Sequence, residues 1–230
     1  MTIIEECKST NEAIDRMAAH GEALMTRVQT AGRGQRGNTW ESEPYKNITM
    51  SIMLRPEQLP ASRQFELSEA VALGVADLLV GLGIDGVRVK WPNDVYAGDR
   101  KICGILIENV VNGNNIGRSI AGIGLNVNQT EFLSGAPNPV SLKQLTGRDY
   151  DVCELGEELV RFVLRRVGQD NHSEYRRRLW RGEGKWQWET AEGDIFEAGI
   201  EDVLPDGRLV LSGCNRRFAF KEVRPRGFAN

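Results

Sequence analysis

Two apolar runs, Ile102 to Val111 and Ile116 to Val127, are separated only by the turn stretch VNGNN. A connection this short joins antiparallel neighbours and leaves no room for the crossover that a parallel pair requires. The centre of the chain is therefore expected to be an antiparallel sheet. Leu24 to Gln29, Ile48 to Leu54 and the alternating VRVKW of 87–91 add further strands. Between residues 62 and 80, Phe65, Leu67, Ala70, Val71, Gly74 and Leu78 recur with the period of an amphipathic helix, and Gly81 and Gly83 stop it. Residues 152–168 and 171–181 read as two more helices, the second with Arg176, Arg177 and Arg178 on a solvated face. Near the start, Ser9-Thr10-Asn11-Glu12 fits a capping box, and Ile14, Met17 and Ala18 carry the helix on towards Gly21. This pattern predicts an α+β fold with helices packed on one face of the sheet.

From about Lys185 the texture changes to short alternating strands with turns at EGD, PDG and SGCN. A main domain over 1–182 and a small β domain over 183–230 are expected. A unit that small is near the lower limit for independent stability, so it should lean on the main domain.

Composition narrows the function classes. A chain of 230 residues, 40% hydrophobic and 27% charged, can bury a core without disulfides or metals. A net charge of −3 gives no strong pull towards nucleic acid or anionic membranes. The four cysteines are far apart and only two histidines are present, which argues against zinc. Free thiols suit a reducing compartment. MTIIEECKST lacks the basic flank and apolar run of a signal peptide, and no stretch reaches membrane-spanning length, so a cytoplasmic location is expected.

Two stretches carry more chemistry than folding needs. GRGQRG (32–37) matches G-x-G-x-x-G, but the following NTWESEPYKN holds Pro44 and cannot open the helix of a dinucleotide site. The G-K-[ST] of a Walker A loop is absent too. Gly32, Gly34 and Gly37 still allow backbone N–H groups close to an anion, and Arg33 and Arg36 add fork-shaped donors. The spacing alone fits a solvated surface loop equally well. KWPNDVYAGDRKICG (90–104) crowds Lys90, Trp91, Asn93, Asp94, Asp99, Arg100 and Lys101 between strand-like segments, where a hairpin needs only two to five residues.

Taken together these residues resemble the biotin–protein ligases. The signatures run in order: Ser9-Thr10-Asn11, Gln29, Gly32-Arg33-Gly34 with Gly37 and Trp40, Lys90-Trp91-Pro92-Asn93-Asp94, Arg100-Lys101 with Gly104, and Gly122-Ile123-Gly124-Leu125-Asn126. The resemblance covers about residues 8–225. It implies a catalytic domain like the class II aminoacyl-tRNA synthetases and an SH3-like C-terminal barrel. It also implies ATP, biotin and Mg²⁺ as ligands, and biotinyl-5′-AMP as the intermediate. The acceptor would be a lysine of a biotin carboxyl carrier protein, an acyl-CoA carboxylase subunit. Family members are monomers or homodimers, so either state is open. Some carry an N-terminal winged helix and act as repressors; with eight residues before Ser9, no DNA-binding role is expected.

Site roles follow from the same resemblance. Lys101, Asp94 and Arg33 are the catalytic candidates. Lys101 would hold the biotin carboxylate and the acyl–phosphate oxygens, and Asp94 would orient either Mg²⁺ or the incoming amine. Ser9, Thr10, Asn11 and Gln29 would read the ureido group, a task suited to small polar side chains. Arg33, Gly34, Gln35, Lys101 and Gly104 complete the biotin set. Arg33 and Arg36 would hold phosphates, Trp40 would stack on the adenylate, Asn126 would bond the adenine, and Gly122 and Asn93 would lie with the nucleotide. Asn93 would fix either its turn or the ureido ring. Each has a structural alternative: Ser9 as a helix cap, Trp40 and Trp91 as core, Asn126 as a strand end, Arg100 as a solvated turn charge, Cys103 as packing. Many relatives have arginine where this chain has Gln35, which implies weaker retention of the adenylate. Three rival functions are weighed. A lipoate–protein ligase usually has a different loop, a degenerate binding module would not need Lys101 and Asp94, and a nucleic-acid binder conflicts with the charge.

Overall fold

The computed structural model describes residues 1–133 and 138–227, with only the backbone of Arg36. The predicted hairpin is the spine of the molecule. Strands β6 (Arg100–Asn112) and β7 (Asn115–Leu125) pair from Cys103↔Leu125 to Asn112↔Asn115, and Gly113 takes the left-handed turn position at φ 61°. Around them lie β1 (Thr2–Cys7), β2 (Ala23–Gln29), β3 (Ile48–Leu54), β4 (Val87–Lys90) and β5 (Asp94–Ala97). The order across the seven-stranded sheet is β1-β2-β3-β7-β6-β5-β4.

Two features depart from the sequence reading. First, β1 pairs parallel with β2, so the sheet is mixed and not wholly antiparallel. Residues 8–22 make the return between them, long enough for a crossover. Second, the KWPND stretch is not one long turn. Asp94–Ala97 forms β5, so β4, β5 and β6 make a tight meander.

The helices are α1 (Thr10–Ala13), α2 (Phe65–Gly81), α3 (Leu142–Thr146), α4 (Val152–Arg166) and α5 (His172–Arg177). The capping box at Ser9 does not form: its side chain makes no capping bond, and the chain leaves the helix at Ile14. Ser9, Thr10 and Asn11 are buried instead, and Thr10 and Asn11 bond across the sheet. Helix α2 is buried almost all round, with α4 packed directly against it. A Cβ at Gly74 would lie 2.6 Å from Val163 Cα, which measures how closely the two approach. Helix α4 is capped by Asp151, whose carboxylate accepts from the Cys153 and Glu154 N–H groups. The arginine face of α5 is an ion network: Arg178 and Arg166 both reach Asp77, at 2.8 and 2.6 Å.

Beyond α5, strands β8 (Trp186–Thr190), β9 (Ile195–Ala198), β10 (Ile200–Val203), β11 (Leu209–Leu211), β12 (Arg217–Phe218) and β13 (Val223–Pro225) form two three-stranded sheets, β13-β8-β9 and β10-β11-β12. These sheets lean on the main sheet, as expected. Val203, Leu209, Leu211 and Phe218 belong to the same apolar core as α2 and α4. The Pro205 carbonyl accepts from Phe65 N–H at 3.0 Å, and the Gly207 carbonyl accepts from the Trp91 indole at 2.8 Å. Among the described residues no helix is long and apolar enough to cross a membrane.

Candidate active site

The register of three strands builds a bare floor. Thr49 pairs with Gly124, Ser51 with Gly122, Gly104 with Gly124 and Leu106 with Gly122, so these residues share one face of the sheet. Their neighbours Met50, Ile105, Ile123 and Leu125 belong to the buried core. Where glycines alternate with large apolar residues, one face is packed and the other is left open to a ligand. Two side chains come down onto this floor. A Cβ at Gly122 would fall 2.3 Å from Asn11 Oδ1, and one at Gly124 would fall 2.3 Å from Trp40 Cε2. Gly104 lies under the same indole, its Cβ position 2.9 Å from Cζ3. The space that remains is about 270 Å³, at the small end for a ligand cleft.

One end of the cleft is lined by uncharged polar side chains, with the Glu108–Arg33 ion pair behind them. Gln29 Oε1 accepts from the Thr10 N–H at 3.0 Å. Ser51 Oγ lies 2.8 Å from Thr10 Oγ1 and 2.6 Å from Asn11 Oδ1. The Asn11 amide donates to Glu108 at 2.7 Å. Ser9 is buried beside them and lines the cleft. Ser51 and Glu108 were not among the sequence candidates. The Thr-x-Ser alternation inside ITMSIML signals a polar face for Ser51, and a lone acid inside ILIEN signals Glu108.

The other end is cationic. Lys101 Nζ meets Asp94 at 2.7 Å and stands 5.6 Å from the centre of the Trp40 ring. Lys90 approaches the same carboxylate at 3.9 Å. Burial pushes the Lys90 ammonium below the ordinary lysine value, and Asp94 opposes that shift. Two ammonium groups thus share one carboxylate. Trp40 Nε1 is buried and, among the described residues, finds no acceptor, although buried donors are ordinarily satisfied.

The glycine loop is a small hairpin above the floor. Arg33 bridges Thr39, Gly34 N–H donates to the Asn38 carbonyl at 2.7 Å, and Gly37 turns the tip at φ 85°. Arg33 points to carboxylates, reaching Glu108 at 3.1 Å and Glu12 at 3.5 Å. Gln35 and Gly34 line the cleft, as does Phe220 from the C-terminal sheets.

Most of the predicted residues therefore meet in one place, with five adjustments. Asn126 is not in the cleft lining; its amide donates to the Val140 carbonyl at 3.0 Å. Gly122 sits under Asn11, at the polar end, apart from the nucleotide group it was assigned to. Asn93 ties its own turn to β6, donating to the Ile105 carbonyl at 2.7 Å while its carbonyl accepts from Ile105 N–H. The side chain of Arg36 lies outside the described residues. Asp94 faces cations, its carboxylate lying 2.7 Å from Lys101 Nζ and 3.9 Å from Lys90 Nζ. Of the structural alternatives, Trp91 is core, 8% exposed, and Cys103 is packing, its thiol pushed up by full burial.

The fold is that of the biotin protein ligases. The Aquifex aeolicus biotin protein ligase, solved in complex with biotin and ATP, superposes with a TM-score of 0.78 at 22% identity, over 98% of each chain. The sequence model of the biotin/lipoate A/B protein ligase family matches residues 7–126, and the chain belongs to that family. It is 38% identical over 130 residues to the bifunctional ligase/repressor BirA of Escherichia coli, a match spanning 55% of this chain and 40% of that protein. It is 28% identical over 227 residues to the biotin–[acetyl-CoA-carboxylase] ligase of Mycobacterium tuberculosis, spanning 92% and 82%.

Proposed function

We propose that the protein is an ATP-dependent biotin–protein ligase acting on a biotin carboxyl carrier protein. The observation that carries this reading is Lys101. Its ammonium stands on a glycine floor between a polar hydrogen-bonding end and a second, half-buried cation, Lys90. The polar end suits a ureido ring, which offers one carbonyl acceptor and two N–H donors. Asn11, Thr10 and Gln29 would bond it, with Ser9 and Ser51 supporting them. The valeryl chain would run along Gly122 and Gly124 beneath the Trp40 indole, whose unpartnered N–H would donate to the ligand.

In the first half-reaction a carboxylate oxygen of biotin attacks the α-phosphorus of ATP. The new O–P bond forms as the bond to the β-phosphate bridge breaks, and pyrophosphate leaves. Negative charge grows at the reacting oxygens, and a fixed ammonium aimed there is the largest single aid a protein can supply. Asp94 holds Lys101 in position, and Lys90 adds a second positive charge. Arg36 and the loop amides would hold the phosphates. Magnesium would arrive with the triphosphate. In the second half-reaction a neutral lysine amine attacks the acyl carbon, the bond to AMP breaks with AMP leaving as the phosphate anion, and the amine's proton passes to solvent water. Asp94, which borders the cleft, would receive the incoming amine. Residues 183–230 would act as a wall of the site through Phe220.

Pyrophosphate exchange with purified protein, Mg-ATP and either biotin or lipoate tests this. Biotin-dependent exchange is the expected result, and exchange with lipoate alone or with neither overturns it. Gln35 gives a finer expectation: it hydrogen-bonds but carries no charge, so Gln35→Arg should slow release of biotinyl-5′-AMP. Equal release rates would remove that idea.

A further inference from the structure

Glu108 lies on the cleft face of β6 beyond Gly104 and Leu106, and no step of adenylation touches it. Its carboxylate nonetheless holds two parts of the site at once. Oε2 accepts from Asn11 Nδ2 at 2.7 Å and from Arg33 Nη2 at 3.1 Å, and Oε1 takes the same guanidinium nitrogen at 3.3 Å. Glu12 backs up the pair, 3.5 Å from Arg33 Nε.

An ionised carboxylate accepts and never donates. The Asn11 amide must therefore turn its NH₂ to Glu108 and its oxygen to Ser51. That oxygen needs the one Ser51 proton, at 2.6 Å. The contact between Ser51 and Thr10, at 2.8 Å, is then left to run on the Thr10 proton. Together with the Leu106 carbonyl, which accepts from the same Asn11 amide at 3.4 Å, this charge sets the direction of the hydrogen bonds from Asn11 through Ser51 to Thr10. The same charge anchors the base of the glycine loop, because Arg33 is the residue at which the loop hairpin begins to pair with Thr39.

We propose that Glu108 is a positioning residue with a double task. It orients the Asn11 amide towards the ligand head group, and through Arg33 it latches the glycine loop over the cleft. Recognition of the head group and closure of the loop are thereby coupled through one carboxylate. The charge matters, beyond the shape. In Glu108→Gln the new amide can offer either an oxygen or an NH₂ to Asn11, and it holds a guanidinium only weakly.

The latch is read in the unliganded protein, and the orientation, which rests on the ligase reading, is read in pyrophosphate exchange. Trypsin should cut after Arg33 or Arg36 roughly fivefold faster in Glu108→Gln than in the wild type, as expected when an ion pair that keeps a loop closed is lost. Glu158→Gln, on the outer side of α4, should leave cleavage unchanged, and Glu108→Asp, which keeps the charge, should recover part of the protection. In exchange, Glu108→Gln should raise the KM for biotin roughly tenfold and the KM for ATP by less, since the unlatched loop carries the phosphate-holding amides, with kcat nearly unchanged. It should add nothing to Asn11→Ala, because residues acting as a unit are not additive. Wild-type cleavage rates overturn the proposal, as do a fall in kcat and Tm together or a KM effect that adds to that of Asn11→Ala. If the wild type shows no biotin-dependent exchange, the ligase reading falls and the trypsin rates still decide the latch.

Discussion

On β6 and β7, Ile105, Ile123 and Leu125 are packed into the core with α2 and α4, while Gly104, Gly122 and Gly124, one residue away in each case, face the cleft. The same strands thus serve two environments through the period of the pleat. On the helix face every position is filled, and Gly74 is there only to let α4 close on α2. On the cleft face the missing side chains make the room. The lesson is that stability and ligand room are assigned to alternate residues, so substitutions on the two faces should separate into different measurements.

The largest expected effect is on the cleft side. Lys101→Ala should lower adenylation about 10²- to 10³-fold, the usual result of removing one donor aimed at developing charge. Retention of more than half the exchange activity would move that role elsewhere. Next is Gly124→Ala. Its methyl would enter the space of the Trp40 ring, 2.3 Å from Cε2, and displace both the indole and the ligand path. A loss of activity on the order of 10²-fold is expected, with the melting temperature close to that of the wild type. A large drop in melting temperature instead would mean that the floor is part of the core.

Gly74→Val probes the opposite face. Its branched side chain would drive into the Val163 backbone, an overpacking worth about 1–3 kcal/mol. The melting temperature should fall by several degrees while the activity of the folded protein stays unchanged. Lost activity at unchanged stability would break the separation of the two faces.

The smallest effect concerns the contact between α2 and the C-terminal sheets. His172 lies 2.9 Å from Glu69 and 3.1 Å from Asp202. Burial works against its charged form, but the two carboxylates outweigh it and raise its pKa above the ordinary histidine value. Stability from the charged ring is fully present below about pH 6.5 and is lost as pH rises through the raised value. Glu69 has the same sign: burial raises its pKa, so ionising it costs the folded state as pH climbs. A shallow loss of melting temperature from pH 6 to 8, flattened in His172→Gln, is the expected outcome. A rise over that range would show that other groups dominate.

Much of the fold is legible in the sequence because the apolar runs are long and the turns are short. The β6–β7 hairpin, β3 and α4 fall where periodicity puts them. Strand β5 is hidden because Asp94–Ala97 is brief and bracketed by Pro92 and Gly98, which read as a turn. Strand β1 is hidden because its parallel partner lies beyond a one-turn helix that looks longer in the sequence. At the site, motif residues can be named one by one, but their partners cannot. Ser51 and Glu108 are polar residues inside largely apolar strands, and only the register shows that they meet Asn11. Asn126 shows the reverse: a motif residue whose amide is consumed by a nearby carbonyl.

Phe220 lines the same cleft as Ser9, although some 200 positions separate them along the chain. During synthesis the glycine floor and Lys101 are complete by residue 124, yet the wall containing Phe220 follows only when nearly all of the C-terminal strands have been made. At the pace of translation, seconds pass with the floor built and one side open. A nascent chain held at that stage would have the Lys101 ammonium in place but an unfinished enclosure. Ligand retention would then be a late acquisition of the growing polypeptide, gained with its final strands.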